Sequence, residues 1–99
     1  MFNELDPLLH SQLRLAVMSL LINLKEAEFV YLKEQTNVSA GNLSLQLEKL
    51  KVAGYIEVTK AFKNKYPVTI CNITDKGILA FEKYVADLKA YINPAKSTK

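Results

Sequence analysis

One stretch of the chain, residues 38–54 (VSAGNLSLQLEKLKVAG), contains the signals for the start, the buried side and the end of a single helix. Ser39 is suited to cap the start, because its hydroxyl can accept a hydrogen bond from a free N–H of the first turn. Gly54 can adopt the left-handed conformation that ends many helices. The apolar residues between them recur at helical spacing and form one narrow stripe, made of Leu43, Leu47 and Leu50. The stretch therefore predicts a helix that is buried along one line and exposed on its opposite side.

The chain has 99 residues, which is the length of one domain with one hydrophobic core. Hydrophobic residues make up 49% and charged residues 23%, the balance of a globular protein with some apolar surface left for a partner. The net charge of +3 permits a polyanionic partner but does not require one. We predict one domain over residues 5–92 and a disordered tail over residues 93–99.

The sequence argues against several classes of protein. Cys71 and His10 are each the only residue of their type, so we expect no disulfide, no metal site and no cofactor. The sequence contains no glycine-rich phosphate loop and no Ser/His/Asp spacing that would indicate an enzyme. The acidic N-terminus does not resemble a signal peptide, and the apolar stretches are too short to cross a membrane. We therefore expect a cytoplasmic protein that is not an enzyme, with Cys71 as a buried apolar group.

The first and last predicted helices carry more apolar surface than one small core can cover. The first helix runs from a start signal at Pro7 or Ser11 to Leu24, and its apolar residues lie in two stripes on different sides. The last helix, capped by Thr74 and ending near Ile92, has tyrosines beside its apolar seam. We interpret the surplus as a homodimer interface, formed by Leu15, Met18, Ile22, Tyr84, Leu88, Tyr91 and Ile92.

A short second helix is predicted over residues 29–35, preceded by a very short extended piece at Ala27 and Glu28. Asn37, in the link to the next helix, is suited to a left-handed turn position. Two short helices joined in this way, the second with its own cap, are the layout of a helix-turn-helix. We expect the first few residues of the chain to be disordered.

After the third helix, the apolar period changes from helical to alternating. Residues 56–59 (IEVT) predict a half-buried strand, which residues 60–67 (KAFKNKYP) interrupt. Residues 68–73 (VTICNI) are rich in β-branched side chains and predict the antiparallel partner. The result is a hairpin with a basic tip, in which we expect Cys71 and Ile73 to face inward.

Three segments of the chain together resemble the compact winged-helix regulators related to the MarR and ArsR groups of bacterial and archaeal transcription factors. These segments are LDPLLHSQLRLAVMSLL, VSAGNLSLQLEKLKVAGYIEV and FKNKYPVTICNITDKGILAFEKYV. The similarity covers residues 5–92 in order and with matching gaps, and the combination of GNLS, AGYI and ITDKG is specific. The resemblance implies an α+β, mainly helical fold. This fold is a winged helix-turn-helix with a two- or three-stranded antiparallel wing and a long C-terminal helix.

In such regulators the capped third helix lies in the DNA major groove. The resemblance therefore implies that this helix contacts DNA through Ser39, Asn42, Ser44, Leu45, Gln46 and Lys49. The amides of Asn42 and Gln46 can pair with adenine, and Leu45 can touch a thymine methyl group. Alternatively, Ser39 acts only as a cap and Gln46 lies at the edge of the buried stripe. Many relatives have a basic residue at the position of Leu45 and a histidine at the position of Gln46, so a cationic contact to DNA is missing here. Glu48, on the outward side of the helix, repels phosphate.

The wing offers Lys60, Lys63 and Lys65 for contacts with backbone phosphates or the minor groove. The alternative is a hairpin that its lysines keep from pairing edge to edge. Arg14 and Lys51 are further candidates for phosphate contacts. We predict a sequence-specific transcriptional regulator that binds double-stranded DNA as a homodimer, with no residue cluster that indicates an effector ligand. The alternative function is a winged-helix protein–protein interaction module that does not bind DNA.

Overall fold

The computed structural model describes residues 2–93, which form four helices and a three-stranded antiparallel sheet. In chain order the elements are α1 (Gln12–Leu24), β1 (Glu26–Glu28), α2 (Phe29–Thr36), α3 (Ala40–Val52), β2 (Ile56–Lys63), β3 (Tyr66–Ile73) and α4 (Asp75–Ile92). This order confirms the predicted α+β winged helix-turn-helix. None of these helices is both long and apolar enough to cross a membrane.

The helix ends form as their local sequence predicts. Ser39 Oγ accepts a hydrogen bond of 3.1 Å from the backbone N–H of Asn42 at the start of α3. Thr74 Oγ1 caps α4 in the same way. Asn37 and Gly54 have φ of 55° and 83°, so both take the predicted left-handed conformation at helix ends.

The hairpin is longer than predicted, and the expectation that residues 60–67 interrupt it was wrong. β2 pairs with β3 without a break as far as Lys63 and Tyr66. Asn64 and Lys65 alone make the turn, with φ of 53° and 69°. Positive φ at both central residues suits a tight two-residue hairpin turn. The outer hairpin is exposed on both faces, so it has no burial pattern from which a strand could be predicted.

The predicted extended piece before α2 is β1, which pairs with β3 as a third strand. On the inward face of the sheet, Cys71 is fully buried, and this burial raises its pKa to about 11. Ile73 is half-buried and packs against the core. The predicted inward side of β3 is therefore confirmed.

Met18 and Tyr84, which were predicted at a dimer interface, belong to the core of the single chain. Met18 exposes 0% of its surface and Tyr84 exposes 3%. The Tyr84 hydroxyl lies 2.9 Å from Nδ1 of His10. With so little accessible surface, neither residue can contribute a contact to a second copy, and the interpretation of these two residues is corrected. Part of the surplus apolar surface of α1 and α4 is thus buried within the chain itself.

The expectation of disorder at the start of the chain was also wrong for the described residues. The ring of Phe2 packs on that of Tyr91, with 4.9 Å between their centroids. Asn3 donates a hydrogen bond of 2.9 Å to Asp87 and accepts one of 2.8 Å from the Tyr91 hydroxyl. The long-range contacts that hold this segment have no signal in its local sequence. Of the predicted tail, residues 94–99 lie outside the described part of the chain, and its disorder stays a prediction.

Candidate nucleic-acid interface

The outer face of α3 lies opposite its three buried leucines. Leu45 and Val52 are 55% and 78% exposed there, beside the exposed Asn42, Glu48 and Lys49. Because the leucine stripe is buried against the core, the orientation of this outer face is set by the rest of the fold. Val52 was not among the predicted contact residues, although its position on the helix would have indicated its exposure.

On the side of α3 that faces α1, three side chains form a hydrogen-bonded series that we call the amide relay: Arg14, Gln46 and Asn42. Arg14 Nη1 donates to Gln46 Oε1, and Gln46 Nε2 donates to Asn42 Oδ1 over 3.2 Å. Arg14 Nε also donates to the backbone carbonyl of Leu8. Both ends of the Gln46 amide are therefore engaged within the protein, and Arg14 points its guanidinium at protein atoms. Sequence reasoning missed this relay because Arg14 and Gln46 are 32 positions apart.

On the side of α3 that faces the hairpin, a groove separates the helix from the sheet. Its rim includes Ser44, Glu48 and Lys51 from α3 and Lys60 from β2. Three of these residues offer donors to an anionic partner, whereas Glu48 opposes one. Ser39 lies at the start of the helix, where its oxygen already accepts the capping bond.

The three wing lysines do not share one face of the hairpin. The strand register places Lys60 on the same face as the buried Ile56, so that it projects on the side of α3. Lys63 lies on the opposite face, where its Nζ forms an exposed ion pair of 3.2 Å with Glu28. Lys65 is in the turn itself.

Two aromatic residues at the wing tip are more exposed than their size would suggest. Phe62 is 78% exposed and Tyr66 is 73% exposed. Phe62 shares the α3-facing side of the hairpin with Lys60, whereas Tyr66 shares the other side with Lys63. Both rings are therefore largely free of packing in the single chain.

The remaining predicted interface residues lie along α1 and α4. Leu15 and Leu88 are half-buried against the core. Ile22 lines a shallow groove between α1 and α4 together with Phe81 and Val85 of α4. At the end of α4, the predicted residues Tyr91 and Ile92 are 46% and 66% exposed.

The sequence matches the family described as "Winged helix DNA-binding domain" over residues 13–92. The chain belongs to this family. It is also 38% identical, over 79 residues, to an uncharacterized protein of Methanocaldococcus jannaschii; the match covers 80% of this chain and 86% of the relative. The family and the fold are those of transcription regulators.

Solved structures of transcription regulators share the fold of this winged-helix protein. It is similar to a transcriptional regulator homologue from Pyrococcus horikoshii, with 26% identity, a TM-score of 0.83 and coverage of 89% of this chain and 87% of the other. It is also similar to a mutant of MarR from E. coli complexed with operator DNA, with 21% identity, a TM-score of 0.73 and coverage of 88% and 61%. The predicted winged-helix fold and the predicted relationship to winged-helix regulators are confirmed, and the fold is shared with MarR.

Proposed function

We propose that this winged-helix protein is a sequence-specific transcriptional regulator, in which α3 enters the major groove of double-stranded DNA and the wing lies along the backbone or in the minor groove. The observation that carries the proposal is that α3 and the wing line one groove, with Ser44 and Lys51 of the helix on one side and Lys60 of the hairpin on the other. An α-helix fits the major groove, and a lysine beside it can neutralise a backbone phosphate. We assign the DNA-binding domain to residues 5–92.

Within this proposal the two elements have different tasks. On α3, Asn42 and Ser44 offer hydrogen bonds to base edges, and Leu45 offers an apolar contact to a thymine methyl group. The cations of α3 are Lys49 and Lys51, and Glu48 next to Lys49 opposes phosphate. Most of the electrostatic attraction therefore comes from the wing, above all from Lys60 and Lys65.

We further propose a homodimer formed through α1 and α4. The surface for it comprises the groove at Ile22 and the exposed end of α4 at Tyr91 and Ile92, with Leu15 and Leu88 beside them. A two-fold dimer places two copies of α3 on successive turns of DNA, which suits a palindromic operator. Sedimentation at micromolar concentration tests this assembly, and a monomer there would rule it out. Acting on DNA in this way, the protein is proposed to be cytoplasmic.

Binding to random-sequence duplex DNA at low and raised salt tests the function directly. We expect the double variant Lys60→Ala/Lys65→Ala to bind more weakly, and the slope of log affinity against log salt to fall by about two, since each neutralised phosphate contributes about 0.9. The matched control is Lys76→Ala/Lys83→Ala, which removes the same charge from α4 and leaves the slope unchanged. Absence of binding at low salt would contradict the proposal and favour a protein–protein interaction module. Equal slopes in the wild type and the wing variant would do the same.

A further inference from the structure

We infer that Arg14, acting through Gln46, orients the Asn42 amide so that Asn42 presents its NH2 group, a hydrogen-bond donor, to the DNA base that it reads. The inference rests on the proposed DNA-binding function and deepens it. Arg14 and Gln46 are positioning residues here, and Asn42 is the residue that determines specificity.

The donor and acceptor inventory determines the orientation of every member of the amide relay. The guanidinium of Arg14 has only donors, so the Gln46 atom that faces it must be the carbonyl oxygen. The NH2 group of Gln46 then faces Asn42, and the atom that receives it must be Oδ1. The remaining group, Nδ2 of Asn42, has no hydrogen-bond partner among residues 2–93.

The relay is anchored next to the hydrophobic core. Besides bonding Gln46, Arg14 is held by the carbonyl of Leu8, whose own N–H donates to Asp6 Oδ1 over 2.9 Å. The next residue, Leu9, is fully buried in the core. Because the guanidinium is held at two of its nitrogens, it cannot turn away without breaking both bonds. The Asn42 amide is therefore pre-oriented before DNA arrives, which reduces the cost of ordering it on binding.

A pre-oriented donor discriminates among bases in the major groove. In the major groove guanine presents two acceptors and thymine presents one, adenine presents one acceptor and one donor, and cytosine presents only a donor. Asn42 is therefore expected to accept guanine, thymine or adenine at the position it contacts and to reject cytosine. Gln46, with both ends of its amide engaged, reads no base of its own.

The substitution Gln46→Glu tests the inference by reversing the relay. A carboxylate keeps the bond with Arg14 but has only acceptors, so Asn42 must turn its NH2 group inward and expose Oδ1. Selection of bound sequences from a random DNA pool measures the outcome. We expect cytosine, which the wild type rejects, to become about tenfold enriched at one position of each half-site, and guanine and thymine, which present only acceptors there, to be depleted.

Two further variants complete the experiment. Gln35→Glu makes the same chemical change on the exposed surface of α2; it is expected to weaken binding by charge repulsion and to leave the base preference unchanged. Gln46→Ala releases the Asn42 amide, and the preference at the same position is expected to disappear. If Gln46→Glu and Gln46→Ala select the same sequences as the wild type, the inference is overturned, whereas failure of the wild type to bind any DNA overturns the proposed function instead.

Discussion

The surface formed by α3 and the wing differs from the region where the N-terminal segment packs on α4. On α4, polar groups satisfy one another: Asp87 accepts hydrogen bonds from Asn3 and, over 2.6 Å, from Lys83. The bond from Asn3, followed by that from Lys83, holds the pKa of Asp87 below its usual value. On the wing, in contrast, no carboxylate among residues 2–93 forms an ion pair with Lys60 or Lys65. Lys83 and Asp87 on α4 stabilise the fold, whereas Lys60 and Lys65 on the wing are available to a partner.

A pair of glycine substitutions tests this difference with the largest expected effect. A Cβ added at Gly77 in α4 would lie 2.2 Å from the backbone oxygen of Tyr55, so Gly77→Ala must displace backbone and is expected to lower the free energy of unfolding by about 3 kcal/mol. A Cβ at Gly41 in α3 meets no atom within 4 Å. Gly41→Ala should therefore raise the free energy of unfolding by about 0.5 to 1 kcal/mol, because alanine favours the helix. Urea unfolding of the two variants measures both changes, and equal stabilities would contradict the described packing of α4.

Single substitutions in the wing test which of its faces meets DNA. Lys60 projects on the side of α3, whereas Lys63 projects on the other side and is paired with Glu28. We expect Lys60→Ala to weaken DNA binding by about tenfold and Lys63→Ala by about threefold or less, since each phosphate contact is largely electrostatic. Fluorescence anisotropy with a labelled duplex measures both affinities. A larger loss for Lys63→Ala would show that the opposite face of the hairpin contacts DNA.

A last expected effect concerns a polar contact away from the DNA surface. The Tyr55 hydroxyl donates to Asp6 Oδ2 over 2.5 Å, and burial, followed by this bond, raises the pKa of Tyr55 to about 12. Tyr55→Phe is expected to lower the free energy of unfolding by about 1 kcal/mol at neutral pH without changing DNA affinity.

The pH dependence of this contact has a definite sign. Since the pKa of Tyr55 in the folded state lies above its unfolded value of about 10, its stabilisation is complete below pH 10 and is lost as the pH rises through about 12. Urea unfolding of the wild type and of Tyr55→Phe at a series of pH values measures the difference. A difference that stayed constant up to pH 12 would contradict a hydrogen bond between Tyr55 and Asp6.

The sequence by itself determined the features that depend on neighbouring residues. The cap at Ser39, the left-handed residues Asn37 and Gly54, and the inward side of Cys71 were all predicted correctly. Each of these features follows from the geometry of a few consecutive residues, so local sequence contains the necessary information. Because the order of helices and strands along the chain is specific, the sequence also predicted the winged-helix fold.

Only the tertiary structure decided which polar and apolar groups remain available to a partner. Arg14 was a candidate for phosphate contacts until its bond to Gln46 was visible, and Lys63 resembled Lys60 until the strand register separated them. Met18 was assigned to an interface before the core was seen to bury it. The physical reason is that hydrogen bonds and burial join residues far apart in the chain, whereas a sequence pattern reports only on neighbours. α3 was predicted from sequence, but the orientation of its Asn42 amide depends on α1.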